Sequence, residues 1–149
     1  MPARATTPDR RLCFIDSTRP KQGTLLFLYR KKLYHAIKGG GAFLNERRLR
    51  REEVMPLNEA VLRIKTDYLH ERNKKVAANK RVGVADQSTA LEICRVAAGE
   101  TDLFMAMSES PHAFAAASLI AEEAGVRLMT VEGKPLCWYE ESSLWVGVV

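Results

Sequence analysis

Apolar and polar positions alternate along the first third of the chain in three short runs, Leu12 to Asp16, Thr24 to Tyr29 and Leu33 to Ile37. Ser17 to Lys21, with Pro20, and the Arg30-Lys31-Lys32 tip separate them, so the pattern predicts a three-strand antiparallel meander. Met1 to Arg11 carries Pro2 and Pro8 and no apolar period, and reads as a loose leader to a single domain over residues 12 to 149. Gly39-Gly40-Gly41 ends the third strand as a tight turn that needs positive φ. Glu46 to Pro56 is charged and loop-like, with Leu49 able to pair as an edge strand. Ala60 to Thr66 alternates as a strand, Asp67 to Lys80 is polar with a weak helical period, and Arg81 to Ala85 is a short strand.

Beyond residue 85 the period changes from two to that of a helix. Asp86 or Ser88 caps a helix that runs to Gly99, with Ala90, Leu91, Cys94, Ala97 and Ala98 inward and Glu92 and Arg95 free to pair outside. After a strand over Asp102 to Met107, the stretch from Ser110 to Gly125 has both ends marked. Ser110 suits the cap, Pro111 the first helical position, and Gly125 the left-handed stop. Ala113, Phe114, Ala116, Ala117, Ile120, Ala121 and Ala124 share one arc, which predicts a helix of small side chains laid flat on a sheet. Val126 to Val131 and Leu144 to Val149 read as strands around a turn at Glu132-Gly133-Lys134-Pro135. The predicted class is α/β: an antiparallel meander followed by a mixed sheet with two packed helices.

A chain of 149 residues with 46% hydrophobic content is long enough to bury one core. It has no apolar run of membrane-span length and no charged start followed by a hydrophobic stretch, which predicts a cytoplasmic protein without a membrane partner. Cys13, Cys94 and Cys137 are widely separated and read as buried thiols. Charge changes the picture more. Residues 1 to 81 hold 20 Lys and Arg against 8 Asp and Glu, net +12, while residues 82 to 149 hold 3 against 10, net −7. The basic half suits an anionic small molecule or an acidic protein surface. Nucleic acid is disfavoured, because no aromatic residues interleave with the basic ones as a stacking platform requires.

Three segments, in one order, resemble the inositol monophosphatase family. Tyr34-His35-Ala36 followed by Gly39-Gly40-Gly41-Ala42-Phe43-Leu44-Asn45 is similar to that family's Tyr-x-Ala strand and Gly-x-Gly-Ala-Phe-x-Asn-Gly turn, with Glu46 in place of the last glycine. Gln87-Ser88-Thr89-Ala90-Leu91-Glu92-Ile93-Cys94-Arg95-Val96-Ala97-Ala98-Gly99-Glu100-Thr101-Asp102 resembles its Gly-Ser-x-x-Leu-x-x-Cys-x-Val-Ala-x-Gly-x-x-Asp segment, with Gln87 for the first glycine. Phe114 to Gly125 resembles the helix opened by its Trp-Asp-x-Ala-Ala-Gly signature. His112 falls on the tryptophan and Ala113 on the aspartate, which in the family binds a catalytic magnesium.

The resemblance implies the second half of the family's layered sandwich and, for the family, magnesium-dependent hydrolysis of phosphate monoesters. For this chain it implies no metal of its own, since the signature aspartate is Ala113 and the family's other carboxylate motifs have no counterpart. Asp16-Ser17-Thr18 is only faintly like the middle metal motif and falls in a hairpin turn, and the acidic residue that contacts substrate hydroxyls in the family falls near Ala106. No catalytic residue is predicted. Ser88 and Thr89 at one helix start and His112 at the other are the candidates for binding a phosphate-bearing ligand. The reading is a truncated or degenerate family member, inactive alone. Its alternatives are activity with a second chain that supplies the metal ligands, or a non-catalytic adaptor with a basic surface. An apolar sheet face left uncovered implies self-association or a complementing chain.

Overall fold

The computed structural model describes residues 9–16, 19–27, 31–65, 82–85, 88–137 and 140–148. Its strands form two five-stranded sheets. The first is the meander: β1 (Asp9–Asp16), β2 (Arg19–Phe27), β3 (Lys32–Ile37), β4 (Gly41–Leu44) and β5 (Arg47–Leu49), side by side in chain order and antiparallel throughout. The second holds β6 (Leu62–Lys65), β7 (Val82–Ala85), β8 (Leu103–Glu109), β9 (Arg127–Met129) and β10 (Ser142–Gly147) in the order β7-β6-β8-β10-β9. There β6 runs parallel to β7 and β8, and β10 antiparallel to β8 and β9. The mixed α/β class is as the alternation predicts. The meander has five strands where three were predicted, and its first two start early: β2 begins at Arg19, inside the predicted turn, and β1 at Asp9, so residues 9 to 11 of the predicted leader belong to the sheet, where they pair with Phe27, Leu26 and Leu25. Backbone pairing to a long β2 extends the strand past the point where the side-chain pattern stops. Residues 1–8 and the predicted helical segment over 67–80 lie outside the described residues.

The turn glycines serve the purpose predicted. Gly39 and Gly41 hold φ of 81° and 88°, and the Gly40 N–H donates to the Ile37 carbonyl at 2.8 Å. In the two-residue turn from β4 to β5, Asn45 takes φ of 54° while its Oδ1 accepts from the Leu33 N–H at 3.0 Å. Glu46 is exposed and needs no positive φ, so the exchange for glycine is absorbed there.

Helix α1 (Thr89–Ala98) starts at Ser88, whose Oγ accepts from the Leu91 N–H at 3.1 Å, and ends at Gly99 with φ of 86°. Helix α2 (Pro111–Glu123) has Pro111 at its first turn and stops ahead of Gly125, φ 93°. The one-faced helix expected here is not what forms: every residue from Phe114 to Ala121 is buried. It is covered by α1, by β2, β3 and β4 of the meander, and by β9 of the second sheet. A helix enclosed on all sides has no room for long side chains, and alanines fill most of this one. Its last turn is also tied to the meander. Glu123 accepts from the Gly41 N–H at 2.9 Å, and Glu122 pairs with Lys38 at 3.4 Å.

Glu92 is the second correction. The helical stripe places it outside, yet it is fully buried, held by Arg63 at 3.1 Å and Arg95 at 3.2 Å. Arg63 reaches it from β6, and its strand partner Gly83 leaves the room: a Cβ there would lie 3.1 Å from the guanidinium. A buried carboxylate persists when it is paired in this way.

The segment after β5 closes the far ends of both helices. The Arg51 N–H donates to the Ala124 carbonyl at 2.6 Å. Its guanidinium donates to the carbonyls of Val96 and Thr101 at 2.8 and 2.9 Å and pairs with Asp102 at 2.8 Å. Asp102 in turn accepts from the Val61 N–H at 2.8 Å, and the Met55 N–H donates to Val148 at 2.7 Å. Among the described residues no helix is long and apolar enough to cross a membrane.

A Cβ on Gly125 would stand 2.6 Å from the Arg51 carbonyl oxygen, whereas one on Gly99 meets nothing within 4 Å, although both residues have positive φ. Gly99→Ala is therefore expected to cost about 1 kcal/mol and Gly125→Ala at least about 2–3 kcal/mol, measured by urea denaturation.

Cys94 is completely buried, and desolvation pushes its thiol well above the ordinary range; Tyr34 is raised chiefly by burial, with Cys94 and Glu100 acting in the same direction. Both groups hold their protons more tightly in the folded state. Their contribution is complete below the ordinary values, about 8.5 and 10, and is lost as pH climbs above them. Stability should fall from about pH 9 upward, and Cys94→Ala should flatten the first part of that fall. At pH 8 the half-buried Cys137 should react with a thiol reagent before Cys94 does.

Candidate functional site

The parallel strands β6, β7 and β8 end at one edge of the second sheet, with Lys65, Ala85 and Glu109 as their last residues. Both helices begin at this edge, α1 after β7 and α2 after β8. A crevice beyond the carboxyl ends of parallel strands is where α/β folds carry ligands, because the loops are free to vary while the strands hold them in place.

Lys65 ties the edge together. Its ammonium donates to Thr89 Oγ1 at 3.0 Å and pairs with the carboxylate of Glu109. Thr89 is the first residue of α1 and Glu109 stands two residues ahead of α2, so one cation connects the starts of both helices. Glu109 and Thr89 are buried, and the Lys65 side chain is 28% exposed. A cation at a helix amino terminus is opposed by the helix dipole, and the Glu109 carboxylate offsets that opposition.

The predicted binding residues lie around this pair. Ser88 is half-buried with its oxygen engaged in the α1 cap, and Thr89 is taken by Lys65. His112 is exposed on the first turn of α2 and makes no hydrogen bond or ion pair with a described residue. Ala113 beside it is half-buried and its N–H donates to the Ser110 carbonyl at 2.9 Å; the Ser110 side chain makes no cap bond. Ala106 is fully buried in β8. Gln87 and the Ser17-Thr18 pair lie outside the described residues; Asp16 ends β1 opposite Arg19 in the first sheet. Among the described residues no histidine or carboxylate hydrogen-bonds to Ser88 or Thr89, so these groups form no activated nucleophile.

The residues 11–147 match the model of the inositol monophosphatase family. This chain belongs to the inositol monophosphatase family. The inositol-1-monophosphatase of Bacillus subtilis is 30% identical over 138 residues, which is 85% of this chain and 51% of that protein. The Rhizobium meliloti inositol-1-monophosphatase is 36% identical over 119 residues, 70% of this chain and 43% of its own length. The solved inositol monophosphatase II of Staphylococcus aureus superposes with a TM-score of 0.84 at 26% identity, over 93% of this chain and 55% of that one. The chain thus spans about half the length of the curated relatives it matches.

The family's magnesium does not fit the described residues of this edge. A hard dication needs several free oxygen donors. Here the one buried carboxylate is neutralised by an ammonium, the signature position offers only the methyl group of Ala113, and the hydroxyls of Ser88 and Thr89 are engaged. Among the described residues no three His, Cys, Asp or Glu side chains converge as a metal site. Sequence reasoning missed Lys65 and Glu109 because each reads singly as a polar residue closing a strand. Only the parallel pairing of β6 with β8 brings them together.

Lys65→Met should cost about 2–3 kcal/mol in urea denaturation by leaving Glu109 buried and unpaired. Adding Glu109→Gln should recover at least half of that loss, since the pair is removed as a unit.

Proposed function

We propose that this chain is a member of the inositol monophosphatase family that does not hydrolyse phosphate monoesters with its own residues and acts by binding another polypeptide. The observation that carries the reading is the Lys65–Glu109 pair at the helix-start edge, together with Ala113 at the family's aspartate position. In the family's chemistry, metal ions activate the attacking water and neutralise the leaving oxygen, and these are the main sources of transition-state stabilisation. A fixed ammonium supplies charge but neither a bound hydroxide nor an open coordination position. Lys65, the first amides of α1 and His112 leave the edge able to attract an anion without cleaving it, the role given to Ser88, Thr89 and His112 from the sequence.

Phosphate release from inositol 1-phosphate, followed with the purified chain in magnesium, should not exceed the background without protein. Magnesium-dependent turnover by the isolated chain would overturn the proposal. Turnover that appears only in a complex purified from the source cells would support the second reading, in which a partner supplies the missing carboxylates.

A further inference from the structure

A break in strand register aims the buried carboxylate of the helix-start edge. Phe104 and Ala106 of β8 pack in the core against the helices, so strict alternation would carry Ser108 to that side and turn Glu109 to the opposite one. The pairing with β10 shifts on the way: three residues lead from Ala106 to Glu109, whereas two lead from Leu144 to Ser142, their partners. The extra residue on β8 returns Glu109 to the helix side and leaves Ser108 exposed, its Oγ 3.0 Å from Glu141. Glu109 is 6% exposed in that position and Thr89 is 4% exposed.

Among the described residues Lys65 answers both groups. Glu109 pairs with its ammonium and with no other described side chain, and Thr89 Oγ1 accepts from the same ammonium at 3.0 Å. A carboxylate from β8 and a hydroxyl from α1 thus face one position, and Lys65 fills it from β6. Charge sets what suits that position. The carboxylate supplies one negative charge, and the helix that begins at Thr89 and the one that begins two residues after Glu109 each present about half a positive charge. A monovalent cation neutralises the carboxylate, while a dication would leave a net positive charge against two positive helix ends. An ammonium also donates the hydrogen bonds that a bare ion cannot, two of which are made here.

We infer that this edge contains a socket for one primary ammonium group, built by Glu109 and Thr89 and occupied in the native chain by Lys65 as a tethered cation. The edge still takes a cation, but one of single charge with N–H donors. The socket rests on the same Lys65–Glu109 pair as the proposed lack of hydrolysis, yet its occupancy is read from stability with no substrate present, so phosphate release by the chain would end that proposal and leave the amine response standing.

Lys65→Ala in the full chain removes the stem beyond Cβ together with the ammonium, the outline of propylammonium. Its melting midpoint should fall by about 5 °C or more. Propylammonium chloride up to about 100 mM, at ionic strength held constant with sodium chloride, should recover at least half of that loss along a saturable curve. Methylammonium should recover less, because it buries fewer methylenes. Tetramethylammonium, which has the charge but no N–H, and magnesium should recover nothing. The native chain and the double variant Lys65→Ala with Glu109→Gln should not respond to the amine. If Lys65→Ala does not fold unaided, the same salts are compared by the circular dichroism signal they restore. No recovery by propylammonium, equal recovery by tetramethylammonium or magnesium, or the same response in the double variant would overturn the inference.

Discussion

Helix α2 has almost no solvated side, and that constraint organises the molecule. A fully enclosed helix cannot satisfy its packing with one sheet, so the chain brings a second from the opposite direction and fills the space between with alanine, phenylalanine, leucine and isoleucine. Polar chemistry then gathers at the helix ends. At the carboxyl ends, Arg51 collects carbonyls from both helices and pairs with Asp102, and Gly125 lets the backbone of residue 51 approach. At the amino ends, the amides of α1 and α2 point toward one edge of the mixed sheet.

Among the described residues, the side chains that meet at that edge are an ammonium and a single carboxylate, already matched. The same economy appears one turn deeper, where Arg63 and Arg95 close on Glu92. Buried charge in this half of the molecule is answered by side chains of the chain itself. The charge left over is basic and belongs to the segment that forms the meander, where residues 9 to 50 hold 11 Lys and Arg against 3 Asp and Glu.

Much of the architecture was legible because period and punctuation agree. Alternation marked the meander, Ser88 and Gly99 marked one helix, and Pro111 and Gly125 the other. What the pattern could not show was anything that depends on a neighbour distant in sequence. A helical wheel puts Glu92 outside because it does not know that Arg63 lies beneath it. The arc of α2 predicts one buried face because the meander, some 70 residues earlier, is invisible to it. Lys65 and Glu109 carried no signal at all until β6 and β8 were paired. The candidate residues Ser88, Thr89, His112 and Ala113 came from resemblance to a family. The structure sets them at the starts of the two helices that Lys65 links, and adds the pair that governs their surroundings.

Because the account rests on an edge that supplies its own cation, its most direct measurement is the melting temperature of the purified chain as magnesium is raised at constant ionic strength. With no site to fill, the midpoint should stay constant within about 1 °C up to about 10 mM, with no response to a chelator. A saturable rise of about 5 °C or more, reversed by the chelator, would mean that the folded chain binds the ion, and the account would be contradicted.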